Sequence, residues 1–282
     1  MNNAIALGTF DGVHLGHRAV LDMPDGFHKT AVIFSEAPKL VMSGTKDSLM
    51  TPEKKVRILH GIGIDDVYML DFEKVRNETP QEFLAFLKNK FSPSLISCGF
   101  NYRFGHNGAG DVKTLQNFCN ENGIELRCCE PVLSGGKPVS SSLIRDMLKN
   151  GDVASANKLM SCKFSYTSEV IHGDRRGRTI GFPTVNQRYP DSLVKLKFGV
   201  YSVLVRFEGA EHFGITNIGI RPTYPSDFVI SETYIDSFCG DLYGKEIEIC
   251  PLRFLRGETK FNSIEELKNQ ISKDILIAKK GL

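Results

Sequence analysis

In the first half of the chain, short β-rich apolar runs alternate with segments whose apolar residues recur at helical spacing. The runs are AIAL (4–7), TAVIF (30–34), DVYML (66–70), SLIS (94–97) and IELRC (124–128), each of strand length. Helix starts stand between them. Thr51-Pro52-Glu53 puts a capping residue before a first-turn proline, and Thr79-Pro80-Gln81-Glu82 is a capping box with proline at the first helical position. Strict alternation predicts βαβ units and a doubly wound parallel sheet, an α/β fold whose ligands bind beyond the carboxyl ends of the strands.

The pattern changes after a predicted helix, SSLIRDMLKNG (141–151). FSYTSEVIHG, GVYSVLVRF, HFGITNIG, VISETYIDSF and KEIEICPL are β-type runs separated by Gly, Pro and Asp turns, which predicts an antiparallel β-barrel. The terminal stretch opens with Ser263 and Glu266 in capping-box register and repeats Ile264, Leu267, Ile271 and Ile275, so one long amphipathic helix should close the chain. Residues 151–160 read as a short connector, and we expect domains over 1–154 and 155–282.

Composition narrows the function classes. A chain of 282 residues with 41% hydrophobic content can bury two cores, and the absence of an eighteen-residue apolar run argues against a membrane span. A net charge of +2 is too near balance for non-specific nucleic-acid binding. The seven cysteines include no CxxC pair and sit mostly among apolar neighbours, so they read as reduced core thiols of a cytoplasmic protein. MNNAIALGTFDG lacks the basic start and apolar stretch of a secretory signal.

The first candidate chemistry follows AIAL directly: Gly8-Thr9-Phe10-Asp11-Gly12-Val13-His14-Leu15-Gly16-His17. Gly8 and Gly12 permit a tight turn and close approach to a ligand. His14 and His17, three apart, would share a helix face and donate ring N–H groups to charge growing on phosphorus, with Gly16 leaving room for a nucleotide. The alternative readings are that the two histidines cap and pack, or bind a metal, but a zinc site needs about three or four ligands and no third His, Cys or paired carboxylate is adjacent. Ser140-Ser141-Ser142-Leu143-Ile144-Arg145, taken alone, reads first as a capped surface helix, with hydroxyls and a guanidinium suited to phosphate as the lesser reading.

In the second half, His172-Gly173-Asp174-Arg175-Arg176-Gly177-Arg178-Thr179-Ile180-Gly181-Phe182-Pro183-Thr184-Val185-Asn186 is the densest signal. Its glycine spacing is not that of a P-loop. Glycines 173, 177 and 181 with Arg175, Arg176 and Arg178 suit a cationic flap over phosphates or, taken alone, a solvated β-hairpin. Thr184 and Asn186, two apart, would project from one face of an extended strand.

The segment GTFDGVHLGH resembles the HxGH signature of nucleotidyltransferases, in the version found in bacterial bifunctional riboflavin kinase/FMN adenylyltransferases, also called FAD synthetases. Asn101-Tyr102-Arg103-Phe104-Gly105, followed by Gly110-Asp111, is similar to that family's nucleotide- and flavin-facing loop, SSSLIR to its SSTxIR motif and GFPTVN to its GFPTAN motif. Asn217-Ile218-Gly219-Ile220-Arg221-Pro222-Thr223, Glu232-Thr233-Tyr234-Ile235-Asp236 and Asp241-Leu242-Tyr243-Gly244 follow in the family's order. Thr9 stands where many relatives have Asn, Phe34-Ser35-Glu36-Ala37-Pro38 replaces an FxPHP stretch, and Ser142 replaces Thr.

The resemblance implies a small-molecule enzyme that phosphorylates riboflavin to FMN and adenylylates FMN to FAD, with ATP and Mg2+ at both steps. It assigns His14, His17 and Arg145 to adenylyl transfer and Glu232 to the kinase as general base. Gly8, Thr9, Phe10, Asp11, Gly16, Asn101, Arg103, Ser141, Ser142, Gly173, Arg178, Gly181, Thr184 and Asn186 would contact nucleotide or flavin, with Thr184 and Asn186 also on Mg2+. The rival readings are a kinase with weakened adenylyl transfer and a non-catalytic flavin sensor.

Overall fold

The computed structural model describes residues 2–35, 37–173, 176–220 and 228–280. Two compact units divide the chain, Met1–Leu143 with Leu159–Cys162, and Ile144–Lys158 with Lys163–Leu282.

The first unit is built from β1 (Asn2–Leu7), α1 (Leu15–Leu21), β2 (Phe27–Phe34), α2 (Pro38–Ser43), α3 (Pro52–Gly61), β3 (Asp66–Leu70), α4 (Phe72–Val75), α5 (Pro80–Phe91), β4 (Leu95–Gly99), α6 (Val112–Asn122) and β5 (Glu125–Cys129). All five expected strands form, and they pair in parallel in the order β3-β2-β1-β4-β5. Local chemistry sets the helix starts. Thr51 Oγ1 accepts from Lys54 N at 3.3 Å, and Thr79 and Glu82 form the reciprocal box, with Thr79 N donating to Glu82 at 2.7 Å. Ile5, Leu7, Val32 and Ile96 bury one sheet face against Phe83, Leu84, Leu87 and Leu115. Because β1 lies between β2 and β4, the connections leaving β1 and β4 diverge, and the crevice at a switch of strand order opens there at the carboxyl edge.

A small hairpin, β6 (Leu133–Ser134) and β7 (Lys137–Pro138), precedes α7 (Ser141–Lys149); α8 (Val153–Leu159) forms within the expected connector. The barrel strands are β8 (Tyr166–Ile171), β9 (Thr184–Arg188), β10 (Gly199–Phe207), β11 (Ala210–Ile220), β12 (Val229–Ile235) and β13 (Glu246–Arg256), with a single helical turn α9 (Arg176–Thr179) before β9 and the closing helix α10 (Ile264–Lys279). They close antiparallel as β10-β11-β12-β9-β8-β13. Thr216, Ser231, Thr233 and Gln187 point inward and are buried, with Thr233 Oγ1 donating to Thr216 Oγ1 at 2.8 Å. Their alternate neighbours Asn217, Glu232, Thr184 and Asn186 therefore share the outer face.

The closing helix departs from its expected register. Ser263 Oγ accepts from Glu266 N, but Glu266 reaches back to Asn262 N. Ile264 is 64% exposed; the docked half is C-terminal, where Ile271, Ile275 and Ala278 meet Val200 and Ile215. There Arg256 forks onto Asp274, with Nε and Nη2 at 3.0 and 2.9 Å from Oδ2. None of the seven cysteines is in a disulfide, yet only Cys98, Cys119 and Cys250 are buried, which corrects the reading of them as a set of core thiols. Burial pushes the Cys98 thiol up to about 12. Among the described residues, no helix is long and apolar enough to cross a membrane.

Candidate active sites

The loop leaving β1 is a constrained turn. Gly12 has φ +88°, but Phe10 (φ 47°) and Val13 (φ 37°) also occupy the left-handed region, which for a β-branched valine is costly and persists only where neighbours hold it. The neighbours are specific. Lys55 Nζ donates to Thr9 O at 3.1 Å, Leu49 N to Asp11 Oδ1 at 2.9 Å, Ser141 Oγ to Asp11 O at 2.8 Å and Ser161 Oγ to Val13 O at 2.5 Å. Asp11 (2% exposed) and Phe10 (1%) are thus interior supports of the loop. A Cβ on Gly8 would strike the Phe10 ring at 2.8 Å.

His14 and His17 do not share a helix face. His14 is the extended N-cap of α1 and His17 lies in its first turn; His14 Nδ1 accepts from His17 N at 3.3 Å, and the two rings stack at 3.5 Å and 19°. Phe10 meets His17 edge-on at 5.3 Å. An Nδ1 that accepts leaves the His14 proton on Nε2. Gly16 makes room for the His14 ring and for Val139 O, which a Cβ would meet at 3.2 and 3.3 Å, rather than for a ligand alone.

Ser140 Oγ accepts from Leu143 N at the start of α7. With the Ser141 proton directed to Asp11 O, Ser142, which is exposed, is the hydroxyl turned to solvent, and Arg145 follows one turn later.

Beyond β4, Asn101 is exposed and Arg103 stands at 3.9 Å from Asp111, whose carboxyl caps α6 and is held below its ordinary range by the Thr114 N–H and hydroxyl. This loop walls a cleft of about 370 Å³ at the carboxyl edge of the sheet, with Phe34, Phe72, Tyr102 and Phe104 around it and Arg76 and Arg103 among its lining. Burial pushes the Tyr102 phenol up. Aromatic walls with cationic groups suit a flat ring that carries an anion. Sequence reasoning placed Arg103 in a nucleotide- and flavin-facing loop but missed Phe34, which read as part of the strand run TAVIF, and Phe72, which it did not single out.

In the barrel unit, one ladder row joins Asn217, Glu232 and Asn186 across β11, β12 and β9, with Thr184 two residues along opposite Tyr234. Asn186 is 5% exposed because the preceding segment folds over it. A Cβ on Gly173 would meet Asn186 Nδ2 at 2.4 Å, and one on Gly177 would meet Phe182 O at 2.3 Å and Thr184 Oγ1 at 3.3 Å. These glycines let the chain lie directly on Thr184 and Asn186. Arg176–Thr179 is a helical turn and not a hairpin. Asp174, Arg175 and 221–227 lie outside the described residues, as do the side chains of Arg176 and Arg178. Gly181 has φ +86° and open space beyond, so it turns the chain into β9.

A second cleft, of about 440 Å³, opens beside Thr184 and is lined by Val170, Pro183, Ile235, Leu242, Asp241 and Tyr243 among others; Tyr243 stacks near His172 at 4.0 Å. Asp236 pairs with Lys279 at 2.8 Å.

Comparison with known proteins follows the same division. A family model described as FAD synthetase matches residues 1–143 and one described as riboflavin kinase matches 160–282. A bifunctional riboflavin kinase/FMN adenylyltransferase of Listeria monocytogenes is 34% identical, covering 97% of this chain and 90% of its own.

The chain belongs to the bifunctional riboflavin kinase/FMN adenylyltransferase family.

Its relative of the same name in Bacillus subtilis is also 34% identical, over 96% of this chain and 90% of that one. A crystal structure from Streptococcus pneumoniae, described as a macrolide-efflux protein, is 28% identical and superposes with a TM-score of 0.91 over 99% of this chain and 94% of that one. The two family models thus fall largely on different compact units.

Among the described residues no group of three or more His, Cys, Asp or Glu is placed to hold a metal ion. Thr184 and Asn186 offer a hydroxyl and an amide oxygen on one strand face, beside the Glu232 carboxylate. This donor set fits an Mg2+ that arrives with phosphate oxygens and waters to complete its shell.

Proposed function

We propose that this family member runs its two reactions at two separate sites, one within 1–154 and the other within 155–282. Its function is that of a bifunctional riboflavin kinase/FMN adenylyltransferase: riboflavin and ATP give FMN, and FMN and a further ATP give FAD and pyrophosphate. The observation that carries the assignment is that stacked His14 and His17 share a unit with the arginine-lined aromatic cleft, while Glu232, Asn186 and Thr184 share another.

In adenylyl transfer the FMN ring lies in the aromatic cleft, with Arg103 and Asn101 toward its polar end. The FMN phosphate oxygen attacks the α-phosphorus of ATP, the bond to the bridging oxygen breaks and pyrophosphate leaves. His14 Nε2–H and His17 donate to the charge that builds on the α-phosphate oxygens, and Ser142 and Arg145 take up charge on the leaving group. Gly8, Thr9, Phe10, Asp11, Gly16 and Ser141 hold the loop that presents the imidazoles.

In the kinase reaction, the apolar cleft beside Thr184 takes the adenine ring. Mg2+ bound with ATP would be held by Thr184 and Asn186 and would offset phosphate charge. Glu232 accepts the proton of the riboflavin 5′-hydroxyl as that oxygen attacks the γ-phosphorus and ADP departs; Gly173, Arg178 and Gly181 belong to the segment that covers the phosphates. Thiols outside any disulfide suit a cytoplasmic setting.

Incubating the purified chain with riboflavin, ATP and Mg2+ and separating flavins by chromatography tests the assignment. FAD is expected; FMN alone leaves a kinase, and no turnover leaves a binding protein. Glu232→Gln should stop FMN formation while FAD still forms from supplied FMN, and His17→Ala should do the reverse with a loss of ~10²–10³. Equal loss of both activities in each variant contradicts two sites.

A further inference from the structure

Lys55 lies on α3 with 1% of its surface exposed, and its ammonium donates to three main-chain carbonyls: Phe34 O at 2.9 Å, Thr9 O at 3.1 Å and Ser35 O at 3.3 Å. Burying an ammonium is costly unless its donors are matched, and these carbonyls supply acceptors to it. The acceptors come from two separate segments. Thr9 belongs to the loop that leaves β1 and carries His14 and His17; Phe34 and Ser35 are the exit from β2, where the Phe34 ring walls the aromatic cleft.

We infer that Lys55 is a positioning residue for adenylyl transfer, which sets the separation between the imidazole loop and the flavin-side cleft. The inference rests on the proposed assignment of FMN adenylylation to this unit. In-line attack requires the FMN phosphate and the α-phosphorus to meet within a narrow range of distance and angle. FMN is located by the cleft and ATP by the loop, so the geometry depends on how the exits of β1 and β2 are joined. Leu49 N, Ser141 and Ser161 also hold the loop, and Gly8 N donates to Val32 O of β2 at 3.4 Å; the Lys55 ammonium adds the tie further along, from Thr9 to the Phe34 and Ser35 carbonyls at the exit of β2. With 1% of its surface exposed, the side chain acts through the carbonyls it holds rather than by touching phosphate.

The test compares Lys55→Met, which keeps an unbranched apolar stem and removes the ammonium, with Lys55→Arg. Three quantities are read on folded protein: kcat for FAD formation from FMN, FMN affinity by flavin fluorescence quenching, and kcat for FMN formation from riboflavin. We expect Lys55→Met to lower the first by ~10²-fold, with FMN affinity within about threefold and the kinase within about twofold of the unaltered chain. Lys55→Arg should fall between, because a planar guanidinium meets some but not all of three converging carbonyls. A folded Lys55→Met with FAD kcat within about twofold overturns the inference, and so does a loss of FMN affinity as large as the loss of kcat. If Lys55→Met does not fold, Lys55→Arg decides: a three- to tenfold or so loss in FAD kcat at unchanged FMN affinity supports the inference, and an unchanged kcat overturns it. Failure of the unaltered chain to make FAD from FMN would instead refute the assignment beneath it.

Discussion

Gly173→Ala probes whether the kinase depends on Asn186 being held where β9 places it. The new Cβ would stand 2.4 Å from Asn186 Nδ2, 2.7 Å from Cγ and 2.9 Å from Oδ1. Non-bonded heavy atoms settle at about 3.5 Å or more, so the amide and the segment above it must separate by about 1 Å. Asn186 is only 5% exposed, and its neighbours in the ladder are fixed by main-chain pairing to Glu232, so the movement falls on the amide or on the covering segment. A misplacement of about 1 Å costs ~10² in rate, or about 2.7 kcal/mol in the barrier. The assay is kcat for FMN formation at saturating riboflavin and ATP, with FAD formation from FMN in the same sample as a control in the other unit. Repeating the change in an Asn186→Ala background completes a double-mutant cycle, in which most of the Gly173→Ala penalty should vanish. A kinase kcat within about twofold of the unaltered chain, or the same penalty in both backgrounds, refutes the reasoning.

Arg256→Met should lower stability to urea by about 3–5 kcal/mol, because it strands the carboxylate of Asp274, which is 2% exposed and otherwise holds the Arg256 fork and Gln270 Nε2; a shift in the unfolding midpoint reads this, and an unchanged midpoint refutes it. Among the described residues the buried Oε2 of Glu78 has no hydrogen-bond partner, and burial, then the nearby Glu82, raises its pKa. Its carboxylate therefore opposes folding once pH rises above the ordinary glutamate range. Glu78→Gln should melt higher than the unaltered chain at pH 7, with the difference fading below pH of about 4 where both forms are neutral; a constant difference across that range would refute the ionic origin.

Much of the fold is readable without coordinates because its signals are local. The central run AIAL is buried throughout, and DVYML forms β3 from end to end even though, at the sheet edge, only its Leu70 is buried. Thr51 and Thr79 cap where their spacing to Pro and Glu says they must. The same locality explains the errors. His14 and His17 have helical spacing, but spacing alone does not tell a first-turn residue from an extended cap. Ile264 continues an apolar repeat that only the C-terminal half of α10 buries, because the Arg256–Asp274 pair anchors that half. Lys55 had one usable signal: it stands four residues before Leu59, so helical spacing sets both on the buried stripe of α3.

The amino-acid order by itself determined the element types, the division into an α/β half and a barrel half, and the motifs that name the chemistry, since each depends on residues a few positions apart. Only the tertiary structure decided the strand order, the cleft assembled from Phe34, Phe72 and Tyr102, the row of Asn217, Glu232 and Asn186, and the carbonyls gathered by Lys55. Those arrangements join residues tens of positions apart, and what selects among the possible pairings is the burial and hydrogen-bond satisfaction of the whole chain, which no short window contains.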